Sequence, residues 1–205
     1  MTKKHDIIWL DVTDSTNDEA ARRISDLDNL SVLSAASQTS GRGQRKNIWI
    51  SEPGKNLTFT IVLKYRHPGS PDDGTLLPPF EARGQKMISD ITSESVISFL
   101  RKHGISGTVK QPNDILADGR KICGILIEHT ARGMYLTHSR VGIGLNVNQT
   151  DFDPSIPDPT SIALQQQKAK DPVHNSRLDL NTCLEDFMDI FTHALLQRLQ
   201  PDPQP

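Results

Sequence analysis

The sequence predicts an α+β domain: a mixed, largely antiparallel sheet with helices packed on one side. Three observations predict it. Short apolar runs bounded by glycine, proline and aspartate recur along the chain, as strands do. Two of the connections between them, Ala117-Asp118-Gly119-Arg120 and Ala131-Arg132-Gly133, are too short for a crossover and so join antiparallel neighbours. Two long stretches with helical spacing, near residues 80–103 and 180–199, supply a covering layer.

Ile7-Ile8-Trp9-Leu10 reads as the first strand, and Thr16 with Glu19 forms a T-x-x-E capping pattern that opens a helix through about Leu27. Ser31–Ala36 and Leu57–Leu63 read as strands on either side of a glycine-rich connection. Pro68–Gly74 is a turn-rich loop closed by Pro78-Pro79. A helix follows from about Phe80 to His103, with Ile88, Ile91, Ser95 and Phe99 on one face and Gly104 as its stop. Lys110 ends a short strand just before Pro112, where the chain must turn. Ile115-Leu116, Ile122–Glu128 and Met134–Val141 are joined by the two tight turns above. Asp151–Pro159 is rich in proline and aspartate and reads as irregular, after which Pro159-Thr160-Ser161 opens a short helix. Residues 168–176 are polar and loop-like. Leu180, Leu184, Phe187, Met188, Phe191, Leu195 and Leu199 then repeat at helical spacing, and the proline-rich tail 201–205 is expected to fray.

At 205 residues the chain can bury a real core, and residues 1–200 are expected to form one domain. A net charge of −2 gives no overall field for non-specific nucleic-acid binding. No run approaches the ~18–20 apolar residues of a membrane span, and no apolar stretch follows the N-terminal lysines as a secretory leader would require. The expected location is cytoplasmic, with no membrane partner. Cys123 and Cys183, with no C-x-x-C pattern, read as reduced packing residues. The histidines lack spacing such as H-E-x-x-H, so no zinc site is expected.

The densest chemistry lies in Gln38-Thr39-Ser40-Gly41-Arg42-Gly43-Gln44-Arg45-Lys46, followed by Trp49. Glycines let a backbone approach an anion closely, and the cations supply countercharge. The loop is neither a Walker A sequence nor a dinucleotide fingerprint, so no flavin or nicotinamide is expected. Taken alone, it reads equally well as a flexible basic surface loop.

Four further blocks surround that loop: Asp14-Ser15-Thr16-Asn17, Val109-Lys110-Gln111-Pro112-Asn113-Asp114-Ile115, Lys121-Ile122-Cys123-Gly124-Ile125-Leu126-Ile127-Glu128 and Val141-Gly142-Ile143-Gly144-Leu145-Asn146-Val147-Asn148. In this order they resemble the biotin protein ligase family, whose signatures are S-T-N, G-R-G-x-[RK], K-W-P-N-D, G-I-L-[VI]-E and G-[IA]-G-[IL]-N. The resemblance covers about residues 6–165 and implies the biotin/lipoate ligase catalytic fold, which is like that of class II aminoacyl-tRNA synthetases. Two departures stand out: Gln111 replaces the family's tryptophan, and Gln44 stands where many members have arginine. No helix-turn-helix precedes the first strand, so DNA binding is not expected. The small β domain that usually follows the last helix is expected to be absent or truncated.

The resemblance implies an AMP-forming reaction in two steps. Biotin's carboxylate attacks the α-phosphate of ATP, and a lysine of a biotin carboxyl carrier protein then displaces AMP. Anions meet in the first step, so fixed positive charge is required. Lys110 is the first choice for that charge. Arg42, with the backbone N–H groups of Gly41 and Gly43, is expected to hold the carboxyl and then the phosphate. Gln44 would help retain the adenylate without the charge-assisted part of an arginine contact, and Arg45 would compensate. Ser15, Thr16, Asn17 and Gln38 offer the uncharged donors and acceptors that a ureido ring needs, although Ser15 and Thr16 read equally as helix caps. Gly124 joins the biotin side. Trp49 either stacks on adenine or seals the loop, or is simply a core residue. Asn113, Asp114 and Asn146 are the oxygen-bearing candidates on the nucleotide side, with magnesium near Asp114. Pairing of two copies at a sheet edge is the expected route to a homodimer. The rival readings are a lipoate ligase or octanoyl transferase, and a non-catalytic module that binds biotin or biotinyl-adenylate.

Overall fold

The computed structural model describes residues 5–112, 114–169 and 177–199. Asn113, the expected loop from residue 170 onward and the tail 201–205 lie outside them. The strands are β1 (Ile7–Thr13), β2 (Val32–Gln38), β3 (Leu57–Lys64), β4 (Gly107–Lys110), β5 (Asp114–Ala117), β6 (Arg120–Arg132) and β7 (Tyr135–Leu145). The helices are α1 (Thr16–Arg22), α2 (Lys86–Lys102), α3 (Ile162–Lys168) and α4 (Leu180–Leu199). One seven-stranded sheet runs in the order β1-β2-β3-β7-β6-β5-β4. Only β1 and β2 pair in parallel. The Asp118-Gly119 turn is as tight as its sequence demands: Ala117 pairs with Arg120, and both turn residues have positive φ, 51° and 74°.

The alternation of side chains along the central strands builds two different layers. On β3, Leu57, Phe59, Ile61 and Leu63 are buried in the main core, which Val141, Ile143 and Leu145 of β7 join. Helices α2 and α4 cover this face. Phe187 of α4 meets Phe59 at 5.3 Å and Phe99 of α2 at 6.1 Å between ring centroids. The expectation of helices on one side describes this pair. Helix α1 instead covers the opposite face at β2 and β3, where Ala20, Leu27, Leu33 and Val62 form a smaller cluster. Leu33 and Val62 are out of phase with Val32 and Ile61, so they need a cover of their own.

Three element boundaries differ from expectation, each for a local reason. Helix α1 stops at Arg22, after which the chain turns to bring Leu27 under the sheet. Its capping box does not form: Ser15 is the N-cap and its side chain makes no capping bond. The Thr16 and Thr60 hydroxyls bond to each other at 2.9 Å, with Thr60 accepting because its own proton goes to Asn17, and the Glu19 carboxylate goes to Arg22 at 2.6 Å. Helix α2 begins at Lys86 rather than near Phe80 because residues 80–82 bond to the sheet. Leu136 donates to the Phe80 carbonyl, and Ala82 donates to that of Met134, both at 2.8 Å. Ser161 caps α3 through its side chain, accepting from the Leu164 N–H at 3.1 Å. Both cysteines are buried free thiols, and burial pushes the Cys183 thiol up to about 11.

Candidate functional site

A cleft opens on the α1 face of the sheet, and its floor is made of absent side chains. Gly124 of β6 pairs across the ladder with Gly144 of β7, and Gly142 lies two residues earlier on the same face. A β-carbon at Gly142 would overlap the Asn17 amide oxygen and sit 3.0 Å from the Leu126 carbonyl. One at Gly124 would lie 3.0 Å from the Trp49 ring, and one at Gly144 would overlap that ring outright. The indole of Trp49 thus lies flat on the strand backbone as a wall of the cleft.

The first turn of α1 and the end of β2 make the polar end. Ser15, Thr16, Asn17 and Gln38 all line it. Arg22 grips Asp14 with two hydrogen bonds of 2.7 and 2.8 Å and holds its carboxyl well below the usual range. Asp14 in turn accepts from the Ser15 N–H at 2.7 Å, which fixes the turn that presents the Ser15 hydroxyl. Gln38 accepts from the Thr16 N–H at 2.8 Å. The Asn17 amide has both its N–H groups and one lone pair of its oxygen engaged, which leaves one acceptor site. Its oxygen accepts from Thr60 at 2.6 Å, while its nitrogen donates to Leu126 O at 3.2 Å and Glu128 at 3.1 Å.

The glycine-rich loop closes over this cleft. Trp49 N–H donates to Gly41 O at 2.9 Å, and Gly43 N–H donates to Asn47 O at 2.8 Å. Arg42, Gly43, Gln44 and Trp49 line the main cleft, whereas Gly41 and Arg45 line only an outer groove formed by the same loop. The Arg42 guanidinium is engaged by two carboxylates, Glu128 at 2.6 Å and Asp18. An incoming anion would have to compete with both.

Glu128 ties the loop to the polar end, because it also meets Asn17 and, at 3.4 Å, Arg140. Burial alone would push its carboxyl up, but the hydrogen bond and charge of Arg42, with Arg140 and Asn17, hold it below its ordinary 4.5. A carboxyl lowered in this way contributes stability above its unfolded pKa, and that stability is lost as pH falls through the lower folded value. The loop should therefore stay latched above about pH 4.5 and loosen only below it. Glu128→Gln should loosen it at neutral pH. Hydrogen-exchange protection over Gly41–Trp49, corrected for intrinsic rates, checks this; equal protection in the variant would refute the latch.

On the far side, Asp114 lines the cleft and forms an ion pair of 2.7 Å with Lys121. The Lys121 ammonium also lies 5.7 Å from the centre of the Trp49 ring. Beyond the indole is a second, more apolar cleft, lined by Ile50, Asn146, Phe152, Ile156 and Pro159, with Trp49 and Lys121 shared. Asn146 donates to Thr160 O at 2.9 Å, but its buried amide oxygen has no hydrogen-bond partner among the described residues, and nor does the Trp49 indole N–H. Lys110 is exposed and lines neither cleft. It sits at the end of edge strand β4, its backbone paired with Asp114. Sequence reasoning missed Lys121, Gly142 and Gly144 as site residues. The i, i+2 glycine spacing inside a strand was the available signal.

The family model of the Biotin/lipoate A/B protein ligase family matches residues 9–146. Biotin–protein ligase 2 of Arabidopsis thaliana is 33% identical over 145 residues, which is 69% of this chain and 40% of that protein. A biotin–[acetyl-CoA-carboxylase] ligase of Paracoccus denitrificans is 27% identical over 89% of this chain and 68% of its own length. Among solved structures, a biotin protein ligase from Aquifex aeolicus in complex with biotin and ATP superposes with a TM-score of 0.68 at 25% identity, over 94% of this chain and 71% of that one. This chain thus spans about two fifths of the Arabidopsis protein and about two thirds of the Paracoccus one. Since the matched segment covers most of the chain and carries every residue that lines the main cleft, the chain belongs to the Biotin/lipoate A/B protein ligase family.

Proposed function

We propose that this chain is the catalytic unit of a biotin protein ligase, which makes biotinyl-adenylate from biotin and ATP and passes the biotin to a carrier-protein lysine. The observation that carries the reading is the convergence of separate sequence blocks on one cleft: Ser15–Asn17, Gln38, Arg42–Gln44, Trp49, Asp114, Gly124 and Gly142–Gly144. The end built from Ser15, Thr16, Asn17 and Gln38 suits a ureido ring, which needs both donors and acceptors. A lipoyl dithiolane offers no such groups, and this favours biotin over lipoate. The neighbouring apolar cleft with Trp49 and Asn146 suits the adenine. In the first step the biotin carboxylate oxygen bonds to the α-phosphorus and the bond to pyrophosphate breaks, with no proton transferred. In the second, the carrier amine attacks the acyl carbon, AMP leaves, and the amine gives up its proton. Arg42 remains a proposed cation for these steps, with Arg45 at the outer groove; Lys110, the first choice from the sequence, stands outside both clefts.

Among the described residues no group of three or more His, Cys, Asp or Glu is arranged to hold a metal ion. A lone carboxylate at Asp114 fits magnesium that arrives on the triphosphate, since that ion keeps its waters and takes few protein ligands. Bound there, it would screen the phosphate charge. Also among the described residues, no helix is long and apolar enough to cross a membrane; the proposed location is the cytoplasm. The test is pyrophosphate release on mixing protein, ATP and magnesium with biotin or with lipoate. Release with biotin alone is expected. No release with either would overturn the reading, and release with lipoate only would transfer it to the other branch of the family.

A further inference from the structure

We infer that Thr60, a residue outside the cleft, helps decide which ring the polar end accepts: it turns the Thr16 hydroxyl into a pure acceptor, so that the cleft demands an N–H group there. This rests on the biotin reading above. Thr60 lies on β3, fully buried, and is not one of the residues that line the cleft. Its hydroxyl is 2.6 Å from the Asn17 amide oxygen and 2.9 Å from the Thr16 hydroxyl. A hydroxyl has one proton to give. The Asn17 amide is held one way round by its nitrogen, which donates to the Leu126 carbonyl and to Glu128. The Asn17 oxygen can only accept, so Thr60 donates to it. Thr60 then has lone pairs alone to offer Thr16, and the Thr16 proton points at Thr60, away from the cleft. A ligand meets Thr16 as an acceptor and nothing else.

The neighbouring amides have their polarity fixed in the same manner. Both Asn17 N–H groups are used, so Asn17 too has only an acceptor left. Gln38 is set the opposite way: its oxygen takes the Thr16 N–H at 2.8 Å, which leaves its amide nitrogen as a donor. A ureido ring brings two N–H donors and one carbonyl. Acceptors at Thr16 and Asn17 match the N–H groups, and the Gln38 N–H matches the carbonyl. A free hydroxyl at Thr16 would rotate to suit a donor or an acceptor equally. The relay from Leu126 and Glu128 through Asn17 and Thr60 removes that freedom. A ring carrying oxygen in place of N–H would set lone pair against lone pair, and a buried acceptor left without its donor is costly.

The test is calorimetric titration of biotin and its two ring-oxygen analogues, in which one or the other ureido N–H is replaced by oxygen. Wild type should prefer biotin to the weaker analogue by about 100-fold or more. Thr60→Val keeps the shape but frees the Thr16 proton to meet a ring oxygen. That preference should then fall by about tenfold or more, chiefly because the analogue binds better. Thr60→Ser keeps the hydroxyl and should retain the wild-type preference within about threefold. A merely structural role would weaken biotin and analogue together in Thr60→Val and leave their ratio unchanged, and that result would overturn the inference. So would a wild type that binds both analogues within about threefold of biotin, whatever the variants do, although the biotin reading would stand. A wild type that binds no biotin would overturn both.

Discussion

Gly142→Ala is expected to lower biotin affinity by about 100-fold, because one methyl group there cannot coexist with Asn17 as it stands. The added carbon would overlap the Asn17 amide oxygen and lie 3.0 Å from both its Cγ and the Leu126 carbonyl. Leu126 O is ladder backbone opposite Gly142 and cannot retreat. Asn17 must therefore move, giving up its contacts to Thr60, Leu126 and Glu128 together. Overpacking of this kind typically costs about 1–3 kcal/mol of stability as well. Calorimetric titration and thermal unfolding measure the two effects separately. Adding Asn17→Ala should relieve the strain, so the double variant should unfold no earlier than the sum of the singles predicts and should regain part of the stability. Biotin affinity within twofold of wild type in Gly142→Ala would show that the floor of the cleft is not what it is taken to be.

Phe187→Ala is expected to cost about 3–5 kcal/mol, the range for removing a fully buried aromatic ring. Phe187 is fully buried and is the point where sheet and both large helices meet, touching Phe59, Phe99 and Phe191 with ring centroids 5.3, 6.1 and 6.2 Å away. Its loss leaves a cavity shared by three elements, none of which can collapse without moving the others. Leu196→Ala on the exposed side of the same helix should cost no more than about 0.5 kcal/mol. Urea unfolding of both variants decides. A loss below about 1.5 kcal/mol for Phe187→Ala would mean that the layer is less tightly packed than its geometry implies.

The elements were legible because their signals are local. The period of α4, the Asp-Gly turn and the apolar runs of β3, β6 and β7 each follow from residues a few positions apart. What escaped was decided at long range. Thr16 and Glu19 carry a capping pattern, but Thr60 and Arg22 outbid the helix end for their side chains. Alternation along β2 and β3 says that both faces are apolar in places without saying which helix covers which. Arg42 looked like an anion clamp because nothing in its neighbourhood announces Glu128, 86 residues away. Lys121 opens one of the blocks that drew attention, but its place in the cleft is visible only once Trp49 and Asp114 are seen beside it.

Strand β7 carries the floor of the cleft and a wall of the core on alternate residues: Gly142 and Gly144 on one side, Val141, Ile143 and Leu145 on the other. A slip of one residue would exchange the two sets. Branched side chains would fill the cleft, and the core would face bare glycine backbone. The slipped strand would bind nothing and would also forfeit the burial of three large apolar groups, each worth roughly 1.5–3 kcal/mol. The cleft is thus proofread by the core beneath it. A chain that has paired its strands out of step is penalised in stability before it could present a misshapen site, and what passes that check arrives with the binding floor already in register.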